Sequence, residues 1–531
     1  MRSSSLKSKP LFEIIALGSN NKESCALCTI PLKYVEFSSF ALAFFVILSV
    51  AIMIRIFGVI VFCFYASILT AQFDKNYRPS PITDTIPTGV TKELKEKLEK
   101  DKVSVSGSSA QVNSFLKSLY EKRYEYLIKN FNDDIFILDE EFTPYLQGIL
   151  DEIYKSNPGL PRETKVYAMR SSVPNALSFG DGTIGFTLGL LARMETDAQV
   201  AFVLCHEMAH YHKEHSKQDL AALARLNYDK DLKKKIDAVR RSEYERYSKL
   251  KEIFKGLGFS ITHHTRGHEY EADSQGLIYF ANTNFNPRAA IRVMEVLDSV
   301  DVPQNSNLID FKKHFDSKAY SFKPSWMDYI KSSTWHAPPE DEDSLKTHPD
   351  CLKRIVALNL QMQSLGADTI GIDNRNNDEG IQYISTKSQF EMVESEFHFK
   401  QYGKSLFRAL LLAQQFPDNI YLQAIISKSL YKLYIYQRNH ELGKVLELPD
   451  PRFPDNYDRF LTFIHKLRLG ELASVAYNYT TTRPESSFQD EEFLYAVWLC
   501  STLEVSKLDP NKVRDEYTAK FSPGKYSKQM R

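Results

Sequence analysis

Two histidines and a glutamate occur in the segment HEMAH, which runs from His206 to His210. In an α-helix, residues four positions apart project from the same face, one turn apart. Both imidazoles can therefore reach one metal ion at about 2.0–2.1 Å, the usual zinc–nitrogen distance. Glu207 is offset around the helix, so we expect it to activate an attacking water instead of binding the ion. The pattern predicts metal-assisted hydrolysis.

A zinc site of this kind needs a third protein ligand and leaves one position open for water and substrate. The segment RGHEYEAD, which ends at Asp273, supplies the candidates. Glu269 and Asp273 are four positions apart and would share a helical face, whereas Glu271 points elsewhere. We predict that Glu269 completes a site for one zinc ion per chain, with His268 as the alternative ligand. Asp273 is expected to accept a hydrogen bond from a ligand histidine.

A buried helix is the element expected to carry the two histidines. The residues from Thr196 to Gln199 have the form of a capping box, with threonine as the N-cap and glutamine three positions later. The run from Ala198 to His215 contains no helix breaker and is apolar in its first half. The charged stretch after it, residues 216–256, is expected to form an amphipathic helical hairpin or a lid over the cleft.

Five separated blocks resemble, in the same order, the zinc endopeptidase family that includes HtpX, BepA and the type I CAAX prenyl protease. They lie between Pro174 and Leu358 and read PNALSFGDGTIGFTLGLL, HEMAHYHKEH, RGHEYEAD, PRAAIRVMEVL and HPDCLKRI. The resemblance implies a mostly helical α+β fold of the zincin type and hydrolysis of peptide bonds in proteins or peptides. No later apolar stretch is long enough to span a membrane, which places the chain with the soluble, exported branch.

The resemblance also implies roles that spacing alone does not supply. His348 would lie near the metal as a second catalytic residue, where it stabilises the oxyanion or acts as a displaceable ligand. Arg354 would brace the active site. The plainer alternatives are a histidine at a helix N-terminus and a solvated arginine. The segment Thr183–Thr187 would be an edge strand that pairs with the substrate backbone.

The N-terminal region is nearly all apolar from Phe37 to Ala71, apart from Arg55. An arginine in mid-bilayer costs about 2.5–3.5 kcal/mol, which argues against one clean membrane span. A secretory signal peptide that starts at Met53 and is cleaved before Gln72 fits the pattern better. The alternative is a membrane anchor over residues 37–71. We expect an exported protein, either periplasmic, extracellular or membrane-anchored.

The rest of the chain divides into three expected parts. Residues 72–110 form a linker with a short charged helix around 92–102, and residues 111–385 form the zinc metallopeptidase domain. Residues 386–531 are helical, with a break at Phe416-Pro417-Asp418-Asn419. They are interpreted either as a tetratricopeptide-like array, which would offer a surface to a protein partner, or as a plain helical bundle.

Composition excludes several classes of function. Lys plus Arg and Asp plus Glu are both 67, so the chain has no excess charge for binding nucleic acid. The pair Cys25 and Cys28 lacks the second pair that a structural zinc site needs, and the other cysteines are too scattered for a disulfide framework. The sequence therefore predicts a zinc endopeptidase for exported or envelope proteins, with a role in protein quality control. The alternative is a chaperone-like or scaffold protein with an occluded metal site, acting through its helical domain.

Overall fold

A computed structural model describes residues 73, 76–80, 82, 89–230, 233–234, 266–298, 308–328, 351–367, 379–450 and 453–530. All of them belong to one unit, which begins at Ile68. The predicted signal peptide or anchor, His348 and most of the predicted hairpin or lid lie outside the described residues. Within these ranges, no helix is both long enough and apolar enough to cross a membrane.

Two helices, of 15 and 23 residues, precede the sheet in the part of the chain that the structure describes. Helix α1, Val90–Ser104, covers the charged helix predicted around residues 92–102. Helix α2, Ala110–Asn132, packs against α1 and begins where the side chain of Ser109 accepts a hydrogen bond from the backbone of Val112. The side chain of Ser109 thereby satisfies one of the backbone donors that every helix start leaves without an intrahelical partner.

A four-stranded sheet forms the β part of the α+β fold. Its strands are β1 Phe136–Ile137, β2 Lys165–Met169, β3 Ala176–Ser178 and β4 Thr183–Thr187, in the spatial order β1-β2-β4-β3. Strands β2 and β4 are parallel, and the two outer pairs are antiparallel.

The expectation that Thr183–Thr187 is an edge strand is wrong. This segment is β4, which lies between β2 and β3 and has all five residues buried. The edge strand next to it is β3, which begins seven residues earlier in the chain. A strand paired on both sides has its backbone groups satisfied within the sheet, so only β3 can offer an edge to a ligand at this end.

Helices cover the sheet and carry the predicted site. Helix α3 is Phe142–Ser156, α4 is Leu188–Leu191 and α5 is Asp197–His212. The capping box predicted at Thr196 is confirmed, because the Thr196 side chain accepts from the Gln199 amide and the Gln199 side chain accepts in return. Every residue of α5 from Ala198 to Ala209 is buried.

Further helices of the catalytic part follow α5 along the chain. They are α6 His215–Asn227, α7 over residues 266–281, α8 Ala289–Asp298, α9 Phe311–Phe315 and α10 Cys351–Ser364. Helix α8 contacts both α5 and α10. The shared core of sheet and helices includes Leu146, Leu150, Ile184, Phe186, Phe202 and Phe280.

The C-terminal part is entirely helical within its described residues. Its α-helices are α11 Glu379–His398, α12 Tyr402–Gln415, α13 Ile420–Arg438, α14 Asp455–Lys466, α15 Leu469–Thr481, α16 Glu491–Ser501 and α17 Pro510–Phe521. The break predicted at residues 416–419 separates α12 from α13, and Asn419 caps α13. The mostly helical α+β fold class is confirmed. The choice between a repeat array and a bundle stays a prediction.

A buried ion pair joins the sheet to the C-terminal helices. Arg170 follows β2, and its Nη1 lies 2.8 Å from Oε2 of Glu391 on α11. Both side chains are almost fully buried. The other carboxylate oxygen of Glu391 accepts a hydrogen bond from the Ser80 amide at 2.6 Å. The carboxylate of Glu391 therefore links the end of β2, helix α11 and the segment around Ser80.

We predict that Glu391→Ala lowers the free energy of unfolding by about 3–5 kcal/mol, because it leaves the Arg170 guanidinium buried without its partner. Urea denaturation followed by circular dichroism measures the loss. The double variant Arg170→Met with Glu391→Leu removes both charges and is expected to recover most of the stability. A loss for Glu391→Ala no larger than the 0–1 kcal/mol or so of a surface pair would contradict this account.

Candidate metal centre and active site

Three side chains from α5 and α7 meet at one point. The ligand atoms of His206, His210 and Glu269 all lie within 4.8 Å of one another. The two Nε2 atoms are 3.1 Å apart. Oxygens of Glu269 lie 3.6 Å from Nε2 of His206 and 3.3 Å from Nε2 of His210. The structure thus brings together the three residues that the sequence predicts as metal ligands.

These separations fit a tetrahedral zinc ion. Ligand atoms at about 2.0–2.1 Å from zinc in tetrahedral geometry are about 3.3–3.4 Å from one another. The two nitrogens are 3.1 Å apart, and each of them lies near a different oxygen of Glu269, His206 at 3.6 Å from Oε2 and His210 at 3.3 Å from Oε1. Two imidazole nitrogens and a carboxylate are also a donor set that zinc commonly takes in hydrolytic enzymes. The residues present therefore fit the predicted metal.

A carboxylate on α7 supports the first histidine. Nδ1 of His206 lies 3.0 Å from Oδ1 of Asp273. Arg354 on α10 donates to both oxygens of Asp273, at 2.6 and 2.7 Å, and its Nη1 lies 3.0 Å from Glu269. Arg354 is only 1% exposed, so the alternative of a solvated arginine does not apply. It joins two acids of the site as the predicted brace.

A histidine outside the ligand cluster, His215, supports His210. Nδ1 of His215 lies 2.9 Å from Nδ1 of His210, and Nε2 of His215 lies 3.2 Å from Oε2 of Glu271. His268, the alternative third ligand, stacks on His215 with ring centroids 4.2 Å apart. It is Glu269 and not His268 that joins the two histidines of the cluster. Neither His215 nor Glu271 has a role that the sequence predicts.

The carboxylates of the site stabilise positively charged groups that lie between them. Burial raises the pKa of Glu269, but contacts with His206, His210 and Arg354 outweigh burial and hold it well below its ordinary value. For His206, burial acts downward, yet Asp273 and Glu269 raise the pKa to about 10. These carboxylates would stabilise a bound cation in the same way that they stabilise a protonated imidazole.

Glu207 has the opposite electrostatic setting. Burial raises the pKa of Glu207, although the neighbouring histidines and a hydrogen bond from the Ser178 backbone act to lower it. A carboxylate with a raised pKa is a better proton acceptor near neutral pH, as a general base requires. Ser178 belongs to the edge strand β3, so the strand also positions the predicted base.

Residues 140–361 match Peptidase family M48. They form an M48 peptidase domain. The family predicted from the sequence blocks is confirmed by this match. His348, which falls within the matched range, lies outside the described residues.

One curated relative of the M48 domain is the mitochondrial metalloendopeptidase OMA1 of Schizosaccharomyces pombe. The two sequences are 22% identical over 204 residues, which cover 38% of this chain. The matched region spans 58% of the relative's length.

A cleft of about 410 Å³ opens beside the ligands of the M48 domain. Asn175 and the three residues of β3 line one side of it. Helix α6 contributes Ser216, Asp219 and Leu220 to the lining. The rest of its apolar lining comes from Leu190, Phe202, Val203, Val293, Met294 and Leu297. An extended peptide placed along β3 would therefore pass the metal ligands and an apolar surface together.

Gly276 of α7 permits the close approach of the two helices that hold the predicted metal ligands. A Cβ at this position would lie 3.0 Å from both Cα and N of His206. A glycine inside a helical pattern is the sequence signal for such a contact. The role of Gly276 is not among the features predicted from the sequence. The M48 site thus depends on a residue that contributes no side chain.

We predict that Gly276→Ala weakens zinc binding and lowers the melting temperature, because α7 must move away from His206. Alanine has the better helix propensity, by about 1 kcal/mol, but overpacking a core contact costs about 1–3 kcal/mol. Gly267→Ala is the matched control, since a Cβ there meets nothing within 4 Å. The account fails if both variants bind zinc and melt as the wild type does, which calorimetry and zinc titration would reveal.

Proposed function

We propose that this protein is a zinc-dependent endopeptidase, with His206, His210 and Glu269 as ligands of one zinc ion. The observation that carries the proposal is the convergence of these three donor groups, within 4.8 Å of one another, beside a buried carboxylate and an open strand edge. Asp273 and Arg354 hold the ligands in place through the contacts described above. The likeness to a metalloendopeptidase adds independent support.

Glu207 acts as general base and then as general acid. A bound zinc ion would supply Lewis acidity, which polarises the scissile carbonyl and lowers the pKa of water. Glu207 takes a proton from the attacking water and passes it to the leaving amine. Water is the nucleophile, so no side chain becomes covalently attached to the substrate. The raised pKa of Glu207 favours both transfers near neutral pH.

Strand β3 is proposed to bind the substrate backbone. Asn175 and Phe179 exchange hydrogen bonds with β4, at 3.0 Å each. Backbone groups alternate in direction along a strand, so Ala176 and Ser178 direct theirs away from β4. Their carbonyl groups can accept hydrogen bonds from an extended peptide added at this edge. Such binding recognises the backbone of many sequences.

The apolar lining of the cleft is proposed to select the side chain next to the scissile bond. Val293, Met294 and Leu297 of α8 face the same cleft as the ligands and are almost fully buried. Burying an apolar side chain there contributes about 1.5–3 kcal/mol of binding, whereas a charged group would lose its hydration. Preferred substrates therefore carry an aliphatic or aromatic residue beside the cleaved bond.

The biological role is proposed to be quality control of exported or envelope proteins. The support is the signal-peptide pattern after Met53 and a cleft that recognises backbone and apolar residues, which unfolded chains expose. The alternative anchor over residues 37–71 would give membrane association instead. The C-terminal helices are proposed to bind a protein partner or to present substrates to the cleft.

We predict that Glu207→Gln keeps one equivalent of zinc and loses about 10²–10⁴-fold in the rate of casein cleavage. Glu269→Ala is expected to lose the zinc, as measured by atomic emission. Glu214→Gln, an exposed carboxylate that follows the same helix, is the control and should keep both. Mass spectrometry of the fragments should place apolar residues beside the cleaved bonds.

Cleavage that persists in Glu207→Gln would show that this carboxylate is not the base. Absence of zinc from wild-type protein supplied with the metal would contradict the whole proposal. If Glu207→Gln still performs the cellular function, proteolysis is not the role of the protein, and the scaffold alternative is correct.

A further inference from the structure

The second metal ligand is held by a chain of hydrogen bonds that ends near the surface. Nδ1 of His210 faces Nδ1 of His215, and Nε2 of His215 faces Glu271, at 2.9 and 3.2 Å. Lys213 lies 3.0 Å from the other oxygen of Glu271. The chain thus runs from the metal centre through a buried imidazole to a half-exposed ion pair.

We propose that His215 and Glu271 are positioning residues that fix the tautomer and ring orientation of His210 for metal binding. This inference rests on the zinc site proposed above. The two ring nitrogens of a metal-binding histidine have different roles, since one binds the metal and the other carries the proton. The hydrogen-bond partner of the second nitrogen determines which tautomer is present.

The polarity of the chain follows from the metal site. A histidine that binds metal through Nε2 carries its proton on Nδ1. The Nδ1–H of His210 therefore donates to Nδ1 of His215, which must accept. The proton of His215 is then on Nε2, which donates to the carboxylate of Glu271. Each donor meets an acceptor in this arrangement, and reversing it would place a proton on the metal-binding nitrogen of His210.

The ring of His215 has little freedom to turn. Its side chain is 2% exposed and stacks on His268 with an angle of 6° between the rings. His268 is held in turn by Asp219, whose Oδ1 lies 3.3 Å from its Nδ1. Glu214, just before His215, has a φ of 58°. This left-handed conformation, uncommon outside glycine, turns the chain so that His215 returns to the helix that carries His210.

The two ligand histidines are supported by acids of the same helix in different ways. Asp273 reaches His206 directly, whereas Glu271 reaches His210 only through His215. Glu269, on the same helix, is itself a proposed ligand. Three acids within five residues of α7 thus provide one ligand and support the two ligand histidines.

The test measures the zinc dissociation constant of the full-length protein by competition with a chromophoric chelator. His215→Phe keeps a ring that can stack on His268 but removes both hydrogen bonds. It is expected to bind zinc about 10- to 100-fold more weakly, the usual effect of losing an outer-sphere partner. His215→Asn places an acceptor oxygen near the position of Nδ1, so it should recover most of the affinity.

Two further variants keep the test independent of folding. Glu271→Gln changes a half-exposed side chain and should weaken zinc binding several-fold without changing the melting temperature of the zinc-free protein. His212→Phe is the control. His212 lies on α5 close to His210, but its Nδ1 contacts the hydroxyl of Tyr279 at 3.2 Å and not a ligand. This variant should bind zinc as the wild type does.

The outcomes separate the two proposals. Wild-type protein that binds no zinc would overturn the metal site and the relay with it. Wild-type protein that binds zinc, together with His215→Phe and Glu271→Gln of unchanged affinity, would overturn the relay alone. Equal weakening in His212→Phe and His215→Phe would reduce His215 to a packing residue and also overturn the proposal.

Discussion

The contact between α5 and α7 at Gly276 is the constraint on which the metal centre depends. Because this residue lacks a Cβ, α7 lies against the backbone at His206. Carboxylates separated by two and four residues on α7 then reach four nitrogen atoms of the site. Glu269 reaches the metal-binding nitrogens, Asp273 reaches His206 and Glu271 reaches His215. A larger separation of the helices would break all these contacts together.

Buried acids in such a site must be compensated, and Arg354 provides the compensation. It contacts Glu269 and Asp273, so both stay ionised and keep the charge that a divalent cation needs. Burial has a different result at Glu207, whose pKa is raised. The same enclosed environment therefore contains ionised acids that bind and orient, and one acid that is suited to proton transfer.

The parts of the site that depend on spacing within one helix could be predicted from the sequence. The positions of His206 and His210, and of Glu269 and Asp273, follow from helical periodicity, and the capping box at Thr196 follows from local residue types. Contacts between distant segments could not be predicted in this way. Residue types do not distinguish the central strand β4 from the edge strand β3, since strand order depends on pairing across the sheet. The position of His215 depends on the left-handed conformation of Glu214, which no residue type in this segment predicts.

The most direct test of the central claim is the position of zinc in a crystal, from anomalous diffraction measured on both sides of the zinc absorption edge. The account predicts one anomalous peak about 2.0–2.1 Å from Nε2 of His206, Nε2 of His210 and an oxygen of Glu269. A peak bound by other residues, or the same peak retained in Glu269→Ala at full occupancy, would contradict it.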